Sequence, residues 1–275
     1  MKNTKVQVVA EIGWNFMGDI DLAEEMIKQA KNCGADICKF QLWDPKYLKK
    51  GVWDEDGRLE IYEKAKLTDE KINKLQEICN KNEIEFLVSI FSKAGAERLN
   101  GLGCKSVKIP SHESSNFELH EYCYTKFEKI YLSLGACTKK ELDKVIYMST
   151  KAAEKINAMH CVSAYPCEDK NLNMPRLNYL KENFENIGFS DHSDSLISGA
   201  VAVAMGCTLI EKHFTTDNSL PGRDNKFAHN PEKFSSYVKN IRDAENMMIN
   251  HGVSFQEIEK DIVENYRGRW DGDIR

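Results

Sequence analysis

Eight short apolar runs recur along the first 210 residues, and polar side chains stand at the C-terminal end of nearly every one. This repetition constrains the fold more than any other feature of the chain. The runs are residues 6–10, 37–40, 86–90, 106–109, 130–134, 156–161, 187–189 and 209–210. The residues that close or follow them include Glu11, Lys39, Gln41, Lys108, Ser111, Ser133, His160, Ser190, Asp191, His192, Glu211, Lys212 and His213. Helical patterns fill the gaps. Asp19 can cap a helix to about Cys33, with Leu22, Met26, Ile27 and Ala30 on one face and Gly34 as its stop. Thr68 and Asn116 open further helices, Thr138 with Glu141 forms a capping-box pattern, and Pro175 and Pro231 sit at first turns. Strand then helix, eight times over with short returns and no Gly/Ser-rich linker, predicts an α/β protein. The predicted architecture is a single (β/α)8 TIM barrel over residues 1–250, with residues 251–275 as a C-terminal extension. No GxGxxG follows a strand, so a dinucleotide-binding fold loses its best support. In a barrel of parallel strands the C-terminal ends gather at one mouth, which is where such enzymes work.

The 38 basic and 43 acidic residues give a formal net charge of −5, which argues against a general nucleic-acid binder. No run of 18 apolar residues exists, so no membrane span is expected. The polar N-terminus enters a strand pattern at once, without a signal peptide. Nine cysteines are scattered with no CxxC pair. That usage reads as reduced thiols in a cytoplasmic protein, mostly small buried hydrophobes. Only Cys161 and Cys167 fall near the expected mouth. Residues 42–67 and 215–230 are long segments without clear periodicity. The first, carrying Trp43, Tyr47, Trp53 and Tyr62 among charges, reads as a lid, a pocket wall or a subunit contact.

Lys39 and Lys108 end two strands and should share the mouth. Ser111, Ser133, Ser163 and Ser190 lie at or just past other strand ends. Two ammonium groups with several hydroxyl donors, drawn from different strands, suit a phosphate or carboxylate. His192 and His213 end consecutive strands, which would bring two imidazoles to ligand distance, with Glu211 and Asp191 as the nearest carboxylates. Imidazole with carboxylate and open positions suits Mn, Fe, Co or Zn better than a calcium cage. The same pattern is met if each histidine only bonds a neighbouring loop. His160 reads equally as a packed side chain or a ligand. Glu11 and Glu113 could orient a hydroxyl or transfer a proton.

These residues lie in motifs that resemble the sialic acid synthase family. The matching stretches are residues 10–15 with Gly18 and Asp19, residues 34–41, and Lys108 and Ile109 with Ser111 and Glu113. Further matches are residues 132–135, His160 and Cys161 with Tyr165, Pro166, Glu168 and Asp169, residues 190–192, and residues 210–215 with Pro221, Gly222 and Asp224. The match spans about residues 6–247. The resemblance implies a metal-dependent condensation of phosphoenolpyruvate with an amino-sugar aldehyde, giving a sialic-acid-like 2-keto acid and phosphate. It implies phosphoenolpyruvate binding by Lys39, Lys108, Ser111, Ser133, Ser163 and Ser190. Gln41, Tyr165 and Asp224 would face the acceptor sugar. Glu11, Lys39, Glu113 and Glu211 would be the catalytic groups, with Glu211 on the acceptor side. His192 and His213 would hold a divalent metal, Mn2+ or Mg2+.

The chain departs from the family pattern at Phe16, where His is usual, at His112, where Gly is usual, and at Leu134, where Thr is usual. Relatives also continue into a small antifreeze-like domain that clamps the acyl-sugar of a partner barrel through an arginine. Within these 275 residues the barrel is followed only by the extension. The resemblance therefore implies a homodimer, with a separate capping domain or chain, or with Trp43, Trp53, Arg267 and Arg269 as local substitutes. Weaker binding of N-acyl sugars than of phosphoenolpyruvate is the corresponding expectation. Two further readings stay open: a phosphoenolpyruvate-dependent synthase for another aldose, and a non-catalytic barrel that binds a sugar or phosphate.

Overall fold

The computed structural model describes residues 5–51 and 57–269. The elements run β1 (Gln7–Gly13), α1 (Ile20–Asn32), β2 (Ile37–Leu42), α2 (Arg58–Ala65), α3 (Asp69–Lys81), β3 (Glu85–Ile90), α4 (Lys93–Gly101), β4 (Ser106–Ile109) and α5 (Phe117–Lys126). They continue with β5 (Lys129–Ser133), α6 (Lys139–Ser149), β6 (Ile156–Cys161), α7 (Arg176–Asn183), β7 (Asn186–Asp191), α8 (Ser198–Ala204), β8 (Leu209–His213) and α9 (Pro231–Met247). All eight strands are parallel and form one closed barrel in chain order, with β8 pairing back onto β1. This is the (β/α)8 architecture that the repeat predicts.

The caps read from the sequence are in place. The Asp19 carboxylate accepts from the backbone N–H groups of Asp21 and Leu22, and Thr138 with Glu141 makes a complete capping box. Gly34 takes φ +93°, and a Cβ there would lie 2.9 Å from Val238 Cγ1 of α9. Its lack of a side chain therefore both ends α1 and lets the last helix close on the first.

Period-2 alternation sorts every strand. Val8 and Ala10, Cys38 and Phe40, Ile130 and Leu132 join the large core between barrel and helices. Val9, Ile37, Leu87, Tyr131, Met159 and Leu209 form a second, separate cluster that fills the barrel's interior. One step of two residues beyond this plug, the inward positions become Glu11, Lys39, Ser89, Ser133, Cys161 and Glu211, all buried.

The structure departs from the sequence reading in four places. β7 and β8 run on through Asp191 and His213, because Ser190 pairs with Glu211 and Asp191 with Lys212 in the same ladder. The 42–67 segment holds a short 3-10 turn (Pro45–Tyr47) and the helix α2. That helix buries only Ala65, so it carries no apolar stripe for periodicity to reveal. The strand-then-helix repeat predicts a helix over residues 195–205 and one from Thr138 to about Glu154; α8 covers only Ser198–Ala204, and α6 ends at Ser149 before a 3-10 segment (Thr150–Lys155). The extension forms two short exposed turns (Glu257–Glu259 and Ile262–Tyr266) that bury nothing. Trp53 lies outside the described residues. No helix among those described is long and apolar enough to cross a membrane.

His120 on α5 is completely buried, and its Nε2 lies 3.0 Å from the Glu113 carbonyl. Burial holds it down to about 4, against about 6.5 for a free imidazole. The unfolded chain therefore binds the extra proton first as the solution is acidified. Stability should fall from about pH 6.5 towards pH 4, by up to about 1.4 kcal/mol per pH unit from this group. Urea unfolding of wild type and His120→Asn across that range checks it. The variant should show the shallower pH dependence, whatever its stability at pH 7.

Candidate active site

A cavity of about 550 Å³ opens at the C-terminal mouth, and all of its lining residues fall between Glu11 and Asp224. At its floor lie four buried charges. Lys39 Nζ stands 2.8 Å from Glu11 Oε2, 3.5 Å from Glu211 Oε1 and donates to Ser89 Oγ at 2.8 Å. Lys108 Nζ donates to Glu211 Oε2 at 2.7 Å, and Ser190 Oγ donates to Glu211 Oε1 at 2.9 Å. Burial alone would raise the Glu211 pKa, but Lys108 and Lys39 outweigh it and hold this carboxyl well below the usual range. Glu11 goes the other way, raised by burial with only Lys39 and Gln41 opposing. Lys108 is lowered, by burial first and by the neighbouring Lys39, against the pull of Glu211. An anion arriving between the two lysines would relieve both effects.

The hydroxyls converge on the same place. The Ser133 hydroxyl is buried without a protein partner, so its donor is unspent. A Cβ on Gly135 would lie 2.7 Å from Ser111 Oγ, 2.8 Å from Ser163 Oγ and 2.9 Å from the Cys161 carbonyl. Glycine at 135 thus lets three strand ends close into one cradle. The structure brings together the two lysines and the serines named from the sequence, and adds Ser89. Ser89 had a readable signal, as the one polar residue inside the run 86–90.

On the other side of the cavity, Gln41 Nε2 donates to Glu11 Oε1 at 2.6 Å, and Trp43 Nε1 donates to Gln41 Oε1 at 3.3 Å. Glu113, Tyr165, Arg58, Tyr62, Arg223 and Asp224 complete the walls. Burial raises both Glu113 and Asp224. Glu211 stands among the lysines, not with these groups, because β8 turns residue 211 inward one layer below the rim. Arg58 and Arg223 carried no sequence signal, since each lies in a segment without periodicity.

His192 and His213 leave the ends of β7 and β8 with ring centres 5.4 Å apart. His192 Nδ1 lies 3.0 Å from the Val162 carbonyl, which only accepts, so that nitrogen carries a proton; burial opposes the charged ring, but Cys161 and the Val162 carbonyl raise His192 above its ordinary pKa. His213 Nδ1 is buried with no hydrogen-bond partner, and Asp224 Oδ2 lies 3.7 Å away. Burial and then His192 hold His213 well below its ordinary pKa, as a neutral imidazole. Among the described residues no group of three or more His, Cys, Asp or Glu forms a ready ligand cluster. Two imidazoles with a carboxylate nearby and room for water or substrate nevertheless fit a divalent ion with open positions. His160 is a packing residue: its Nε2 bonds the Leu172 carbonyl at 2.7 Å and its ring stacks on Phe189.

Asp191 was expected as a carboxylate near these histidines and is not one. Strand alternation turns it to the barrel's outer face, where Lys212 Nζ donates to its Oδ2 at 2.9 Å and Tyr237 Oη donates at 2.8 Å. Ser193 and Ser198 also donate to it. Gly199 makes room, since a Cβ there would sit 2.7 Å from Tyr237 Oη. This ion pair ties β7 to β8, α8 and α9 one residue before each histidine. Of the departures from the family pattern, Phe16 packs edge-on against Phe40 in the outer core and Leu134 is fully buried, so neither faces the cavity. His112 does line it, beside Phe91. Arg267 and Arg269 do not line it, and among the described residues none of the extension does.

A closed parallel barrel with buried lysines, hydroxyls and imidazoles gathered at one mouth is the architecture of a barrel enzyme whose mouth could take an anion. The chain belongs to the NeuB family, whose members use phosphoenolpyruvate to form carbon–carbon bonds; the family model matches residues 26–252. It is 32% identical over 258 residues to the N,N'-diacetyllegionaminic acid synthase of Legionella pneumophila, covering 88% of this chain and 72% of that protein. It is 32% identical to a pseudaminic acid synthase of Campylobacter jejuni, covering 89% and 75%. The crystal structure of an N-acetylneuraminic acid synthetase from Leptospira borgpetersenii, in complex with citrate, superposes with a TM-score of 0.87 at 27% identity, covering 97% of this chain and 93% of that one.

Lys212→Met should leave the Asp191 charge buried and uncompensated, at a cost of about 3–5 kcal/mol. Adding Asp191→Asn should recover a large part of that loss. Urea unfolding of the single and double variants measures both terms.

Proposed function

We propose that the chain condenses phosphoenolpyruvate with an amino-sugar aldehyde, releasing phosphate and a nonulosonic, sialic-acid-like 2-keto acid. The observation that carries this reading is the cradle of Lys39, Lys108 and the unpartnered Ser133 hydroxyl, set beside two imidazoles in one cavity. Relatives that make N,N'-diacetyllegionaminic acid and pseudaminic acid support the class of product.

In this reading Lys108, Ser111, Ser133, Ser163 and Ser190 hold the phosphate, and Lys39 holds the carboxylate. Charged hydrogen bonds from a rigid, water-poor floor fix the enol ether with its C3 towards the acceptor. Gln41, Tyr165 and Asp224 orient the sugar, so that its carbonyl carbon faces C3. C3 attacks that carbon, water adds at C2, and the tetrahedral species loses phosphate to leave the keto group. The water gives up two protons in all, one of which ends on the new hydroxyl. Glu11 and Glu113, both raised by burial, are the groups placed to pass a proton. Glu211 stays ionised and keeps the two lysines in place. His192 and His213 would hold the divalent ion, which supplies Lewis-acid polarisation of the aldehyde. Two imidazoles suit Mn2+ better than Mg2+. The same family resemblance extends the proposal to a cytoplasmic homodimer, with room over the mouth for a capping domain or chain.

Phosphate release should require phosphoenolpyruvate, an amino sugar and the metal together, with the product mass equal to the two carbon skeletons joined. Binding without release would leave only a sugar- or phosphate-binding barrel. Lys108→Ala should weaken phosphoenolpyruvate binding by about 1.5–3 kcal/mol. Lys105→Ala should not, because Lys105 is exposed and paired with Glu128 at 3.0 Å. Equal dissociation constants for the two variants would contradict the assigned anion site. His192→Ala and His213→Ala should each weaken Mn2+ binding sharply in calorimetry, and unchanged affinity in both would exclude the pair as ligands.

A further inference from the structure

We propose that the thiol of Cys161 is a positioning residue that couples the serine cradle to the imidazole pair, so that an anion on the serines and a divalent ion on the histidines each tighten the other's binding. This rests on the two seats proposed above and adds how they communicate.

Cys161 closes β6 at the inward position one period beyond Met159 of the apolar plug, and it is buried against the mouth cavity that it lines. The β6–β7 register sets it level with Ser190, two residues before His192. Its Sγ lies 3.7 Å from Ser163 Oγ and 3.6 Å from His192 Nδ1. One side chain thus touches a hydroxyl of the cradle on one side and an imidazole of the pair on the other. The cradle side is tight, since a Cβ on Gly135 would lie within 2.9 Å of Ser111 Oγ, Ser163 Oγ and the Cys161 carbonyl together. Its donors point to a ligand: the buried Ser133 hydroxyl, which lines the same cavity, has no protein partner.

Sulfur is the atom that fits this place. Across gaps of 3.6 and 3.7 Å an oxygen makes no hydrogen bond. The larger sulfur spans both, accepting on one side and donating its single proton on the other. The direction follows from the ends. The His192 Nδ1 proton is shared between the Val162 carbonyl, at 3.0 Å, and the sulfur. A phosphate in the cradle takes the Ser163 O–H, which leaves the Ser163 oxygen to accept the S–H. Every donor then points towards the anion: Nδ1–H to sulfur, S–H to Ser163, Ser163 O–H to phosphate. No proton leaves its atom. Aligned hydrogen bonds of this kind polarise one another where water is scarce. An imidazole that donates more strongly through Nδ1 is a better metal ligand through its other nitrogen. A divalent ion there in turn sharpens Nδ1–H as a donor, and linkage makes the two effects equal.

The test titrates Mn2+ into the full chain by calorimetry, with and without saturating phosphoenolpyruvate, and reads the ratio of the two dissociation constants. Wild type should bind Mn2+ more tightly when phosphoenolpyruvate is present. Cys161→Ala and Cys161→Ser should each lower that ratio by about 5-fold, the lower end of ordinary coupling between sites, and Ser163→Ala should do the same. Ser133→Ala removes a donor to the anion but no link of the chain, so it should weaken phosphoenolpyruvate binding and keep the ratio. A ratio unchanged in both Cys161 variants, or one that falls as far in Ser133→Ala, overturns the proposal. Metal-free protein supplies a second readout: the anion should move the His192 Nδ1 signal in nitrogen NMR in wild type and much less in Cys161→Ala. Equal movement in the two, or none in wild type, overturns it. If phosphoenolpyruvate does not bind wild type at all, the condensation reading fails. Inorganic phosphate then serves as the anion, and the same ratio and the same signal decide the coupling.

Discussion

The carboxylate of Glu211, held between Lys108 and Lys39, is the interaction on which the mouth depends. Each of these charges is buried and would be costly alone. Together with Glu11 they make a matched set at the level where the barrel's apolar plug ends. The set has little charge left over for a multiply charged ligand such as phosphoenolpyruvate. That is a physical reason for two imidazoles, able to hold a divalent cation, to stand at the same mouth. It is also a reason for hydroxyl donors, which add attraction without adding charge, to supply the rest of the cradle.

The outer face of the same two strands carries a second, independent pair. Asp191 and Lys212 are one residue from His192 and His213, yet alternation puts them on the opposite side of the sheet. Four side chains from β7, the loop after it, α8 and α9 converge on Lys212 or its carboxylate partner. The two systems differ by geometry: the inner charges face the cavity, and the outer pair fixes the strand ends that carry the imidazoles.

Much of the site was legible because it follows strand periodicity. Lys39, Lys108, Ser133, Ser190, His192 and His213 all occupy inward positions near strand ends, and a two-residue period places such residues without knowledge of their neighbours. Ser89 was legible by the same rule and was passed over. Asp191 is next to His192 in sequence, but the parity of its position turns it to the outer face, towards Lys212. Arg58, Tyr62 and Arg223 belong to segments that bury little, so no pattern distinguishes a side chain that turns into the cavity from one that turns to water. Their place is set by where α2 and the loop after β8 come to rest against Trp14 and Asn15.

The sequence by itself determined the strand and helix order, the caps, the closed barrel and which strand residues point inward, because all of these follow from local periodicity and from steric rules that act within a few residues. Only the tertiary structure decided who meets whom. It set Glu211 between two lysines, closed three serine-bearing strand ends around Gly135, and folded α2 over the mouth so that Tyr62 packs on Trp14 and Trp43. Those contacts join residues tens to hundreds of positions apart, and their energies depend on distances and burial that no local pattern encodes.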